Sequence, residues 1–244
     1  MAKVSAPIVV QARVVRQVRA AFERERRINL HKYPVQIDFR DGILTLSGEV
    51  EHIAAKKVGL ALAMGVHGVL GIVDRLHVAP AERMGDGAVR HLVHDALLQE
   101  PAFQECAIRV KEKGQATTFK ESISVIEVAV EEGVVTLDGQ VRGLCHKRLA
   151  GVLAWWVPGS RDVINGLGVV PPEDDSDEEV TEAVRIVLEK DPLVNAAQIR
   201  VSTRGYVVTL DGLVATEQEK GAAEFDAWYM FGVDGVVNNL TVQR

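Results

Sequence analysis

Cysteine is almost missing from this 244-residue chain. Its two cysteines, Cys106 and Cys145, stand in neither a C-x-x-C nor a Cys…His spacing. That excludes a disulfide framework and a zinc site, and leaves two reduced thiols that pack as small hydrophobes. Long apolar runs are missing too. No stretch approaches the roughly 18 residues that a membrane-spanning helix needs. After Met-Ala-Lys the only apolar run is Ile8-Val9-Val10, and Arg13, Arg16 and Arg19 follow at once, so no secretory signal is read. As given, the chain is expected in the cytoplasm, or in the periplasm if a leader has been removed. Catalytic constellations are also lacking. Gly65-Val66-His67-Gly68 has neither the spacing nor the lysine of a phosphate loop. His91 and His94 share a helix face with no third metal ligand in view, so no metal, cofactor or enzymatic activity is expected.

What the chain has is a block used three times. Gly-Ile-Leu-Thr-Leu-Ser-Gly-Glu-Val from Gly42 returns as Gly-Val-Val-Thr-Leu-Asp-Gly-Gln-Val from Gly133 and Gly-Tyr-Val-Val-Thr-Leu-Asp-Gly-Leu-Val from Gly205. The pairs Gly48/Gly68, Gly139/Gly159 and Gly212/Gly232 are each 20 positions apart, and Gly48/Leu76, Gly139/Leu167 and Gly212/Leu240 each 28. A spacing held to the residue three times is one structural unit repeated. The third copy is expected to carry one extra hairpin residue, at Tyr206 or Val207.

Each copy opens with a helix. Val14, Val18, Ala21 and Phe22, then Val89, Leu92, Val93, Ala96 and Leu97, then Val180, Ala183, Val184, Val187 and Leu188 recur at helical spacing. Residues 1–8 read as a flexible arm. Ser176-Asp177-Glu178-Glu179 fits a capping box, and Asp86 is the expected cap of the second copy's helix. Two short strands follow, the second expected to end at Gly48, Gly139 or Gly212 in a positive-φ exit. A second helix comes next. Its inward stripe is expected at Ala54, Val58, Ala61 and Gly65; at Cys145, Leu149, Val152 and Trp156; and at Gln218, Ala222, Phe225 and Tyr229. A last strand closes each copy. The fold class is therefore α+β: three tandem helix-strand-strand-helix-strand modules, each a small mixed three-stranded sheet covered by two helices. Their expected bounds are 9–80, 87–170 and 176–244.

The middle module is longer. Ile108-Arg109-Val110 resembles Ile199-Arg200-Val201, which puts a β insertion near 115–133, read as an extended hairpin. Residues 170–178, with Pro171-Pro172 and an acidic run, read as a stiff, solvated spacer.

The block Gly-Val-Val-Thr-Leu-Asp-Gly-x-Val, followed by Val-Pro-Gly-x-x-x-Val-x-Asn-x-Leu-x-Val, resembles the BON domain family of bacterial osmotic-shock and nodulation proteins. The resemblance covers nearly the whole chain as three copies. It implies a helix-strand-strand-helix-strand fold and a binding role in stress response, described as attachment to phospholipid or envelope surfaces. A cytoplasmic branch of the family, in which the domain accompanies a LysM part that this chain lacks, binds potassium.

Charge is uneven. Residues 1–80 carry 12 Lys/Arg against 7 Asp/Glu, a net of +5, and residues 171–244 carry 6 against 15, a net of −9. The best candidate surface is Arg13, Arg16, Arg19, Arg24, Arg26 and Arg27, able to meet anionic lipid. No aromatic accompanies these arginines for stacking and Glu23 and Glu25 interleave, which reads against nucleic acid. Trp155 and Trp228, one step off the expected inward stripe, are placed at module rims as further lipid- or partner-binding residues. Trp155 is expected to touch residues outside its own module, and Trp156 to be core. The chain is thus expected to be a non-enzymatic multi-module binding protein on a phospholipid or envelope surface. Two alternatives are a protein-interaction or self-assembly scaffold, with a second copy among its partners, and a potassium-type ion sensor.

Overall fold

In the computed structural model, which describes residues 6–111 and 124–243, the chain divides into two compact units, Met1–Ala79 and Pro80–Arg244. The first holds α1 (Ala6–Arg24), β1 (Val35–Arg40), β2 (Ile43–Val50), α2 (Ile53–Met64) and β3 (Gly71–Val78). The second holds two further copies of that order. One comprises α3 (Asp86–Gln99), β4 (Ala107–Val110), β5 (Val125–Glu131), β6 (Val134–Val141), α4 (Leu144–Trp156), β7 (Asp162–Asn165) and β8 (Gly168–Val169). The other comprises α5 (Asp177–Lys190), β9 (Ile199–Arg204), β10 (Val207–Val214), α6 (Glu217–Tyr229) and β11 (Gly235–Val242). The helix α1 begins inside the segment expected to be a loose arm.

Each sheet grows from a two-residue hairpin turn. β1 and β2 pair antiparallel with Arg40 opposite Ile43, β5 and β6 with Glu131 opposite Val134, and β9 and β10 with Arg204 opposite Val207. The turn residues Asp41-Gly42, Glu132-Gly133 and Gly205-Tyr206 all have positive φ, the backbone of a type I′ turn, whose twist matches that of the strands it joins. The third hairpin therefore has no extra residue. Its glycine has moved to the first turn position and Tyr206, at φ 59°, takes the second. The middle strand then pairs in parallel with the last, β2 with β3, β6 with β7 and β8, and β10 with β11.

The strand glycines do adopt positive φ, but the strands run two residues past them, to Val50, Val141 and Val214. A Cβ at Gly48 would lie 2.8 Å from the Pro34 carbonyl, and one at Gly212 2.1 Å from that of Gln198, so the backbone that leads into the neighbouring strand leaves no room for a side chain.

Side chains alternate across the sheets, with Val35, Phe39, Leu44 and Leu46 buried under the helices and Gln36 and Asp38 outside. The first-helix stripes hold: Val14, Val18 and Phe22; Val89, Val93 and Leu97; Val180, Val184, Val187 and Leu188 are all buried, while Leu92 lies off the stripe and is exposed. The second-helix stripe is one residue away from its expected place. Ala55, Gly59 and Ala63 face the first core, with Ala150 and Ala154, then Ala223 and Ala227, at the same offsets. Small side chains bring this helix close to the layer beneath it. A Cβ at Gly59 would already stand 3.4 Å from Ile28.

A side-chain pin ties each last strand to its second helix. Asn165 donates to the Lys147 carbonyl at 2.7 Å and Asn238 to that of Lys220 at 3.1 Å, while each accepts from the backbone two residues on. The first unit has Asp74 at this position, and Lys56 forms an ion pair with it at 3.1 Å.

The middle sheet differs from expectation. β4 is not the counterpart of β9. It pairs parallel with β5 at the sheet edge, and β5 is the hairpin strand, because it is β5 that meets β6 across the turn. The strand half of the expected insertion is therefore part of the repeat, and β4 is the addition. The expected turn of that hairpin falls within 112–123, outside the described residues.

Candidate binding surfaces

On α1 the buried stripe fixes where everything else points. With about 100° between successive residues, Arg13, Arg16 and Arg24 fall opposite Val14, Val18 and Phe22. All six candidate arginines are exposed, Arg26 and Arg27 just beyond the helix end. Among the described residues only Arg27 of the six has an ion-pair partner, Glu25 at 3.2 Å; the Arg16 Nε donates to the Ala12 carbonyl. The result is an outward basic ridge on a unit of positive net charge.

The second unit carries a different site, where its two modules meet. Helix α4 buries two faces, one on its own sheet and one on α5 and α6. The stripe Cys145, Leu149, Val152 and Trp156, expected to face the core, lies toward this second face. Its centre is Arg148, fully buried. The Arg148 Nη2 donates to both Asp175 oxygens at 2.6 and 2.7 Å, and its Nε donates to the Phe231 carbonyl at 3.1 Å. A buried guanidinium is tolerable only with such partners. Lys147 lies 4.6 Å from the centre of the Phe231 ring, and burial, then Arg148, lowers its pKa. The Leu144 N–H donates to Glu173 at 2.7 Å and the Cys145 thiol to Glu179 at 3.7 Å. Burial, first of all, raises the pKa of both cysteines. The acidic 170–178 segment is thus no free spacer, since Glu173 and Asp175 are held by α4.

The tryptophans redraw the expected surface. Trp155 does touch residues outside its module: it stacks on Tyr229 of α6, centroids 5.4 Å apart and planes 16° apart. Trp156 is half-buried rather than core, and its Nε1 donates across the interface to Asp226 at 2.8 Å. Trp228 is not at a rim. It is 2% exposed, with its Nε1 unpartnered among the described residues, so it presents nothing to lipid or partner. Asp226 is itself 2% exposed, and burial, then the neighbouring Asp191, push its pKa up to about 8 against the lowering effect of the Trp156 N–H. Sequence reasoning missed Arg148 and Asp226. The available signal was Arg148 at the end of His146-Lys147-Arg148, directly before the apolar stretch Leu149–Trp156 of one helix.

Other candidates resolve locally. Asp86 is not the cap of α3, which Gly85 provides; its carboxylate accepts from the Glu132 and Gly133 N–H groups instead. Ser176 does cap α5, accepting from the Glu179 N–H. His91 and His94 each lie 3.2 Å from Asp95. Asp138 accepts from the Gly139 N–H, whereas Asp211 accepts from the Asn239 side chain. A cleft of about 280 Å³ beside α4 is lined by Glu105, Cys106, Arg142 and His146, with Glu105 and Arg142 paired. Among the described residues no helix is long and apolar enough to cross a membrane.

A family model described as BON domain matches residues 11–80, 119–171 and 176–244. Osmotically-inducible protein Y of Escherichia coli (strain K12) is 29% identical over 139 residues, a match that covers 57% of this chain and 63% of that protein. Among solved structures, the C-terminal domain of CdsD, the structural protein of the type III secretion system of Chlamydia trachomatis, aligns over 96% of this chain and 99% of its own at 15% identity and a TM-score of 0.25. The PrgH periplasmic domain aligns over 88% of this chain and 96% of its own at 10% identity and a TM-score of 0.23. Neither score reaches that of a shared overall fold.

Proposed function

This chain belongs to the BON domain family, and from that premise we propose a non-enzymatic, multi-module binding protein that attaches peripherally to an anionic phospholipid surface of the cell envelope. The observation that carries this reading is the basic ridge of α1: Arg13, Arg16 and Arg24 point away from their own core, and all six arginines are exposed. Each basic residue near an anionic leaflet contributes about 1 kcal/mol, so three together supply about 3 kcal/mol, a reversible attachment screened by salt. The test is co-sedimentation with vesicles of acidic or zwitterionic lipid. Wild type is expected to sediment with acidic vesicles at low salt, and the triple variant Arg13→Glu, Arg16→Glu, Arg24→Glu to stay in solution. Wild type left in solution with acidic vesicles at low salt would sink the reading.

A second reading, a protein-interaction or self-assembly scaffold, is supported by the docking of α4 on α5 and α6, a helix-to-helix contact between two modules of this chain. Molecular mass measured across ionic strength tests it. A monomer under all conditions, with nothing retained on the immobilised chain, counts against it.

A further inference from the structure

Asp226 projects from α6 into the contact with α4, its Oδ1 accepting from Trp156 and its Oδ2 without a partner among the described residues. The side chain that faces it from the end of α5 is a second carboxylate, Asp191. On its own helix the neighbouring titratable group is Tyr229, which burial and Asp226 push up to about 12 and so keep neutral. The basic residue next to Asp191 in the chain, Lys190, is committed to Glu100 at 2.8 Å, and the buried arginine of α4, Arg148, to Asp175. Two facing carboxylates are both acceptors, and only a proton makes one of them a donor.

We propose that Asp226 and Asp191 form a proton-operated latch between the second and third modules: docking of α6 against α4 takes up one proton, so acid tightens the contact and alkali loosens it. The direction follows from linkage. Asp226 in the docked state is raised to about 8 from 3.8, chiefly by burial. Its contribution is therefore fully present below the ordinary carboxylate range, and is lost as pH rises through the folded value. Above about pH 8 both states are ionised and the dependence ends. The titration belongs to the pair, since one proton serves both groups.

The test uses the full chain, whose three tryptophans all lie in this unit. Denaturant unfolding followed by tryptophan fluorescence is measured at several pH values, for wild type and for Asp226→Asn. The carboxamide still accepts from Trp156 and donates to Asp191, so it mimics the protonated latch. Wild type is expected to lose up to about tenfold in the folding equilibrium per pH unit between pH 5 and 8 from this group, and D226N to lack that component. A D226N slope equal to that of wild type overturns the proposal. Should D226N fail to fold, the infrared carbonyl stretch of a protonated carboxyl serves in the wild-type protein. It is expected at pH 7 and gone above pH 9, and its absence at pH 7 overturns the proposal equally.

Discussion

Met64, Trp155 and Trp228 stand at one position of the repeat, 16 residues beyond the strand glycine, yet meet three environments. Met64 is 48% exposed, Trp155 is half-buried in a stack on Tyr229, and Trp228 is 2% exposed. Nine residues beyond the same glycine, Lys57 is half-buried in the first unit whereas Arg148 is sealed in the second. The module's own fold sets where the Ala-Gly-Ala face of the second helix points. What lies on the neighbouring face depends on whether another module's helices cover it. The second helices of the second and third modules thus serve both as packing elements within their own module and as docking elements against each other.

Truncating that shared position should grade the three environments. Trp228→Ala is expected to cost about 3–5 kcal/mol as a large buried truncation. Trp155→Ala removes an aromatic stack and is expected to cost about 1–2 kcal/mol. Met64→Ala should stay within about 0.5 kcal/mol. Urea unfolding of the three variants measures the order, and equal costs for Trp228 and Trp155 would break the comparison. Next comes the arginine. Arg148→Ala strands Asp175 and the Phe231 carbonyl and should cost about 3 kcal/mol, with Arg148→Met recovering part because an apolar chain of similar length fills the space. Lys57→Ala, at a half-buried position, is expected within about 1 kcal/mol. A large loss from Lys57→Ala would mean that the first unit carries a polar centre of its own.

How much of this was legible follows from how local each determinant is. The hairpin positions of the first and third modules, the positive-φ glycines and the first-helix stripes were readable, because each is set by residues within a few positions of one another. The second-helix face was misread by one residue. In Leu144–Trp156 the chain is apolar on two sides, and periodicity cannot say which side meets its own sheet. The middle hairpin was misassigned because Ile108-Arg109-Val110 matches Ile199-Arg200-Val201 in residue type, whereas strand identity is decided by the turn across which a strand pairs. The basic ridge was legible, as the complement of a stripe that was itself readable. Asp226 was not, because its burial comes from a helix some 70 positions earlier in the chain.

The smallest expected effect separates the units at their hairpins. In the third module Asp177, in the first turn of α5, accepts from the Gly205 N–H at 2.7 Å and the Tyr206 N–H at 2.9 Å, and Asp86 does the same for Glu132 and Gly133. In the first unit the corresponding position, three residues before Val14, is Gln11, and the first turn of α1 carries no acid. The two backbone bonds, Tyr206 first and then Gly205, hold the Asp177 pKa below its ordinary value. A depressed carboxylate contributes stability that is fully present above the ordinary carboxylate range and is lost as pH falls through the folded value. Asp177→Asn should therefore lower the thermal midpoint of the second unit at neutral pH, with the difference from wild type shrinking on acidification below about pH 4. Gln11→Ala should leave the first unit unchanged at every pH. The case for Asp177 is sharpened by Tyr206, which is held in a left-handed conformation that glycine would adopt at less cost, so the carboxylate clamps a turn that needs holding. Tyr206→Gly should make the Asp177→Asn loss smaller. A loss that stays constant through acid, or is indifferent to the residue at 206, would show that Asp177 acts only as a helix-terminal charge.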